Sequence, residues 1–239
     1  MDKHKIEVCL TPAVYDTFRN DDAIVVVVDI LRATSAICTA FMNGARRIIP
    51  VATLEEAREY KNIGYLVAAE RDGIVRDFAD FGNSPFNFTP ERVNDKDIVY
   101  STTNGTHTIM MAAHSYKVLI GAYLNHKALT DFILREKHDV IILCAGWKQK
   151  FNLEDTLFAG ALAEAVLENK HFFTTCDSTY ASIDLWNTAN NNMMEYMEKV
   201  AQRHRLKKNG LDDVLEYCHT FDLTNKIPVL ENNYLTELK

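Results

Sequence analysis

No stretch of this 239-residue chain has the length and apolar character of a membrane-spanning helix. The longest charge-free apolar run, VIILCAGW at 140–147, is about eight residues where roughly 20 are needed. The N-terminal MDKHKIEVCL is interrupted by Glu7 and lacks the continuous apolar core of a secretory signal. Positive charge is also scarce: 26 Lys and Arg against 33 Asp and Glu give a formal net charge of −7, which argues against general affinity for nucleic acid or for anionic membrane surfaces. The five cysteines, at 9, 38, 144, 176 and 218, form no CxxC pair and are odd in number, so neither a disulfide framework nor a zinc site is expected, and reduced thiols in a cytoplasm fit better. GxxxxGK[ST] and GxGxxG, the glycine-rich phosphate loops of nucleotide-binding proteins, are missing. Two positions after Asp29 stands Leu31, not the second aspartate of haloacid-dehalogenase-type phosphatases. The run from Cys144 ends in Lys150, where a cysteine-dependent phosphatase loop carries arginine.

What remains is an ordinary globular composition, 47% hydrophobic and 25% charged, and residues 1–239 read as one domain or two closely packed halves. AIVVVV at 23–28 is an unbroken β-branched run, the mark of a strand buried on both faces. A helix is expected over 32–43, stopped by Asn43 and Gly44. RRIIPV is a short strand, TLEEAREY a helix with Thr53 and Glu56 at capping-box spacing, and YLVAAE a strand ending in Glu70. Residues 70–97 are polar and irregular, a long structured loop or a small hairpin. DIVYST, NGTHTIMMAAH, KVLIGA, KALTDFILREK and DVIILC then alternate strand and helix. The expected fold class is therefore α/β, with a central mostly parallel or mixed sheet flanked by helices and a helical C-terminal part. In that part, Leu153, Leu157, Ala161, Leu162, Ala165 and Val166 predict an amphipathic helix, residues 180–205 a second helix weakened by NTANNN, 211–219 a short helix, and KIPVL an extended end. RHRLKK at 203–208 reads as cations closing a helix before Gly210.

The polar residues worth following stand at strand carboxyl ends, where α/β proteins place their sites. STTNGT at 101–106 brings hydroxyls and backbone N–H groups to a helix start, which suits a bound phosphate or sulfonate, although Asn104-Gly105 is also a common tight turn. Asp29 is equally a helix cap or a magnesium ligand or nucleophile. Arg32 is either a surface residue or a fork for a second anion. Asn152 can cap the next helix with Glu154 and Asp155 opposing its dipole, and the same two carboxylates suit a hard divalent cation. Cys144 reads best as a small buried hydrophobe, and FGNSP at 81–85 as a turn.

Taken together, VVVDILRATSAICTAFMNGARRIIPV, AAERDG, FGNSP, STTNGT, CAGW and FNLEDTLFAG closely resemble, in order and spacing, the 2-phosphosulfolactate phosphatase family, and the similarity runs from about residue 5 to the closing LDDVLEYCHTFDLTNKIPVL. The resemblance implies an α/β fold particular to that family and a Mg2+-dependent hydrolysis of 2-phospho-3-sulfolactate to 3-sulfolactate and phosphate, a step of coenzyme M biosynthesis. On this reading Asp29, Glu154 and Asp155 hold magnesium, Thr103, Asn104, Gly105 and Thr106 cradle the phosphate, and Arg32 and Arg71 contact sulfonate or carboxylate. Glu70 is a proton donor or base or else the partner of Arg71, Asn104 stands among the catalytic residues, and Asn83 and Ser84 among the substrate-binding ones. One departure is His107, where the family usually has arginine after TTNGT. The alternatives are a phosphatase of another small phosphorylated hydroxy acid, a phosphonate or sulfonate lyase, and a non-catalytic protein that binds small anions. A homo-oligomer is compatible with the sequence.

Overall fold

The computed structural model describes residues 3–239. In chain order the elements of the first half are β1 (His4–Cys9), β2 (Ile24–Val28), α1 (Ala33–Met42), β3 (Arg47–Pro50), α2 (Leu54–Asn62), β4 (Leu66–Arg71), β5 (Ile74–Val75), α3 (Pro90–Val93), β6 (Asp97–Ser101) and α4 (Gly105–Met111). The second half carries β7 (Lys117–Gly121), α5 (His126–Glu136), β8 (Val140–Cys144), α6 (Leu153–Leu167), β9 (Phe172–Phe173), α7 (Asp177–Ala189), α8 (Met193–Met197), α9 (Ala201–Lys208), α10 (Leu215–Cys218), β10 (Pro228–Glu231) and β11 (Tyr234–Glu237).

All five residues of β2 are fully buried, because β7 and β8 flank it in parallel and helices cover both faces of such a sheet. The eleven strands run in the order β5-β4-β6-β3-β11-β10-β7-β2-β8-β1-β9. Two parallel blocks, β4-β6-β3 and β7-β2-β8-β1-β9, are joined by an antiparallel hairpin, so the sheet is mixed. The sequence pattern foresaw the extended KIPVL but not β11. Its signal was Asn232-Asn233: both have positive φ (49° and 66°), which a two-residue hairpin turn requires and asparagine tolerates. The hairpin meets each block through one residue pair, Val229 with Leu119 and Leu235 with Ile48. The carboxyl ends of both blocks deliver residues to the same cleft.

Two helical expectations need correction. The α6 helix is buried nearly all round, Glu154 and Asp155 included, not amphipathic, because α7 lies directly on it. A Cβ on Gly160 would stand 2.1 Å from the Ser182 carbonyl oxygen, so the two backbones touch there. The helix expected over 180–205 is three helices, α7, α8 and α9. The asparagines at 190–192 form a 3-10 turn, in keeping with their weak helix propensity. Elsewhere the expected elements form: Thr53 and Glu56 make a reciprocal capping box on α2, and residues 70–97 hold the small hairpin of β4 and β5, turning on Asp72 and Gly73 at positive φ.

Candidate active site

One cleft collects the carboxyl ends of β2, β4, β6 and β8. Its walls are Asp29, Leu31, Arg32, Glu70, Gly73, Asn83, Thr103, Asn104, Gly146, Trp147, Asn152, Glu154, Gln202 and Leu206. Seven of the residues singled out from sequence are therefore neighbours here: Asp29, Arg32, Glu70, Asn83, Thr103, Asn104 and Glu154.

Asp29 leaves β2 and receives the Ala33 N–H on Oδ1 at 3.3 Å, so one oxygen does serve the start of α1. The other, Oδ2, lies beside Gly105, where a Cβ would come within 3.0 Å of it and 2.7 Å of the Ala33 Cβ. That approach gives Gly105 its place in the turn. Burial, then the Asp155 charge, pushes the Asp29 carboxyl well above the usual carboxylate range. Arg32 is 3% exposed and donates from Nη2 to Asn83 Oδ1 at 2.8 Å, so it is a buried residue of the cleft, not a surface one.

Glu70 does not pair with Arg71. Its carboxylate accepts the Thr103 N–H (2.8 Å), the Thr103 hydroxyl (3.1 Å) and the Gly73 N–H (2.6 Å), and so ties the β6 end to the β4–β5 turn. The cradle expected from STTNGT is correspondingly narrower. The Thr103 amide is spent on Glu70 and the Thr106 amide on Thr102 Oγ1, with Thr106 fully buried, which leaves Asn104 and Gly105 as the turn's uncommitted amides. Asn104 Oδ1 accepts the Lys148 N–H at 2.9 Å and so joins this turn to the loop after β8.

Besides Gly105 and Thr106, both buried in the turn, three expected positions do not line the cleft. Strand alternation turns Arg71 to the face opposite Glu70, where it donates to Ser101 Oγ and to the Ala52 and Glu70 carbonyls. Ser84 precedes the 3-10 turn Pro85–Asn87 without a side-chain cap. Asp155 lies behind the wall with both oxygens engaged: Oδ1 by Ile30 N–H (2.8 Å), Oδ2 by Gly146 N–H (3.0 Å) and Asn152 Nδ2 (2.9 Å). It thus pins the β2 and β8 ends together. His107 is exposed and lines no part of the cleft.

The expected three-carboxylate centre of Asp29, Glu154 and Asp155 does not form. Among the described residues no three His, Cys, Asp or Glu side chains are grouped as a metal site. The donor set nevertheless fits a hard cation held by few protein ligands. Asp29, Glu70, Glu154 and Asp155 outnumber the nearby guanidiniums of Arg32 and Arg205, and burial pushes Glu154 up to about 7. Asn152 does not cap α6 by its side chain. It donates from Nδ2 to Glu154 and Asp155, and its Oδ1 is buried with no donor. A buried carbonyl oxygen without a donor, beside a carboxylate, is the oxygen chemistry that Mg2+ takes, its remaining positions going to water and substrate.

Sequence reasoning expected helix at α9 but missed that this helix forms a wall of the cleft. RHRLKK does close a helix, with Lys207 and Lys208 in its last turn, but Gln202 and Leu206 line the cleft, and the Arg205 guanidinium lies 4.3 Å from the Trp147 ring centre. The i, i+4 pair Gln202 and Leu206 was the available sign of an inward face. A larger, more open groove at the opposite strand ends, lined by Arg46, Lys61, Arg92 and Asp97 among others, has part of its charge paired within the wall, Arg46 on Asp97 and Lys61 on Asp80.

A family model described as 2-phosphosulpholactate phosphatase matches residues 9–233. A probable 2-phosphosulfolactate phosphatase of Caldanaerobacter subterraneus subsp. tengcongensis is 38% identical over 212 residues, covering 87% of this chain and 88% of the relative. One from Thermotoga maritima is 36% identical over 207 residues (87% and 88%), and one from Clostridium perfringens strain SM101 31% over 234 residues (95% and 94%). The match takes in every wall of the cleft, from Asp29 to Leu206, and on that ground the chain belongs to the 2-phosphosulpholactate phosphatase family.

Proposed function

We propose that this protein is a Mg2+-dependent phosphoric monoester hydrolase that converts 2-phospho-3-sulfolactate and water to 3-sulfolactate and phosphate. The reading rests on the names of the relatives and on one observation above all. Asp29 from β2 and Glu154 from α6, both with carboxyls raised by burial, line the same cleft as the buried Arg32 and the Asn104 turn. Glu154 and Asn152 Oδ1 from one wall, with Asp29 adjoining, would hold Mg2+, which supplies charge neutralisation to the phosphoryl oxygens. The Asn104 and Gly105 amides and the Arg32 guanidinium bind phosphoryl oxygens. Asp29 Oδ2, the oxygen not engaged by Ala33, orients the attacking water and receives its proton. Glu70 keeps the Thr103 turn in register, and Asp155 keeps the β2 and β8 ends together.

The five cysteines are free, four of them buried, which supports a reducing compartment such as the cytoplasm. Among the described residues no helix is long and apolar enough to cross a membrane. The test is phosphate release from a panel of phosphorylated hydroxy acids with added Mg2+ and with chelator. Preferred turnover of 2-phospho-3-sulfolactate, abolished by chelator, is expected. Turnover unaffected by chelator refutes the metal's role, and preference for another ester refutes the substrate.

A further inference from the structure

A substrate that carries a phosphate and further acid groups needs more than one cation, and Arg71 is turned away from the cleft. Arg205 is not itself a wall of the cleft but packs directly on one of them, Trp147. Its Nε donates to Gln202 Oε1 at 2.6 Å, and Gln202 Nε2 donates to the Leu31 carbonyl at 2.9 Å, so the residue is braced against the peptide preceding Arg32. Its guanidinium stacks on Trp147, which with Gln202 and Leu206 lines the cleft. Arg203, two residues earlier, is paired with Glu198 and Asp212. Among the described residues no carboxylate stands within salt-bridge distance of Arg205, although it is half-buried and close enough to Glu154 for their charges to interact. A partly desolvated guanidinium with one edge used by Gln202 and no carboxylate on the other is built to receive an anion from outside the chain.

Resting on the phosphatase reading, the geometry points to Arg205 as a specificity-determining residue: its open edge takes the acid group that is not transferred, sulfonate or carboxylate, with Trp147 as platform and Gln202 as brace. Arg32 and the Asn104 turn serve the phosphate, and Arg205 selects esters with a second acid over simple monoesters.

The test is calorimetric titration of the Mg2+-loaded protein with 3-sulfolactate and, separately, with orthophosphate. For Arg205→Gln, 3-sulfolactate affinity falls about ten- to hundredfold, the effect of losing one charged hydrogen-bonded contact, while phosphate affinity stays within about twofold. Arg205→Lys recovers part of the loss, guards against a folding defect in the glutamine variant, and is compared with it by thermal melting. Arg71→Gln leaves 3-sulfolactate affinity unchanged. Unaltered 3-sulfolactate binding in Arg205→Gln, or equal weakening of both ligands, overturns the assignment, as does a wild-type protein that binds phosphate but not 3-sulfolactate. A wild-type protein whose 3-sulfolactate binding depends on Arg205, yet which releases no phosphate from the ester, refutes the phosphatase reading and leaves the assignment standing.

Discussion

Replacing Glu154 by glutamine should stabilise the metal-free protein at alkaline pH. Glu154 is 2% exposed, and burial lifts its carboxyl from an ordinary 4.5 to about 7. A carboxyl whose folded pKa lies above its unfolded one favours folding below the unfolded value, and that advantage disappears as pH rises through the folded pKa. Above about pH 7 the ionised side chain therefore costs on the order of 3 kcal/mol of stability. Glutamine keeps an oxygen for the Asn152 amide, which donates to Glu154 Oε1 at 2.9 Å, but its added NH2 needs an acceptor, a cost of roughly 1 kcal/mol. The net expectation is a gain of about 2 kcal/mol in urea unfolding at about pH 8.5 with chelator, falling through zero as pH drops and becoming a loss of roughly 1 kcal/mol below about pH 4.5, where only the NH2 cost is left. Added Mg2+ should raise the stability of the wild type and leave Glu154→Gln unmoved. A variant less stable than wild type at alkaline pH, or a gap that does not change with pH, refutes the charge-frustrated cleft.

Other outcomes follow from the same geometry. Gly105→Ala places a methyl 2.7 Å from the Ala33 Cβ, which is fixed to the α1 backbone, and 3.0 Å from Asp29 Oδ2, so helix and carboxylate must both shift, and kcat/KM should fall by about tenfold or more together with a lowered Tm. His219 donates from Nδ1 to the Leu215 carbonyl at 2.7 Å, and burial lowers its pKa to about 4. The stability this neutral ring allows above about pH 6.5 is lost as pH falls toward 4, by roughly 3 kcal/mol. In parallel urea titrations His219→Gln should lack that component, and identical pH profiles for the two proteins would contradict it.

Much of the fold was legible because the buried strands carry unbroken β-branched runs and the intervening helices their own stop signals, as at Asn43 and Gly44. The closing hairpin was hidden because its partners, β3 and β7, are distant in sequence and each pairs with it at one rung. Within the cleft, residues at strand ends could be named in advance, since alternation and chain direction bring Asp29, Glu70 and Thr103 to one edge. What a carboxylate does once there could not. Asp155 differs from Glu154 by one helix position, yet its oxygens are consumed by Ile30, Gly146 and Asn152 while Glu154 faces the cleft. Arg71 and Arg205 exchange places for the same kind of reason. Strand alternation turns the first away, and α9, packed on the cleft from far along the chain, sets the second on the Trp147 ring that lines it.

The central claim is that Asp29 stands at the reacting phosphoryl group. Phosphate release from 2-phospho-3-sulfolactate by Asp29→Asn, in Mg2+ and beside wild type, tests it most directly. Asparagine preserves the Oδ1 contact to Ala33 and removes the proton acceptor, so kcat should fall by about 10²- to 10⁴-fold with the folded structure retained. Full activity in that variant would contradict the account.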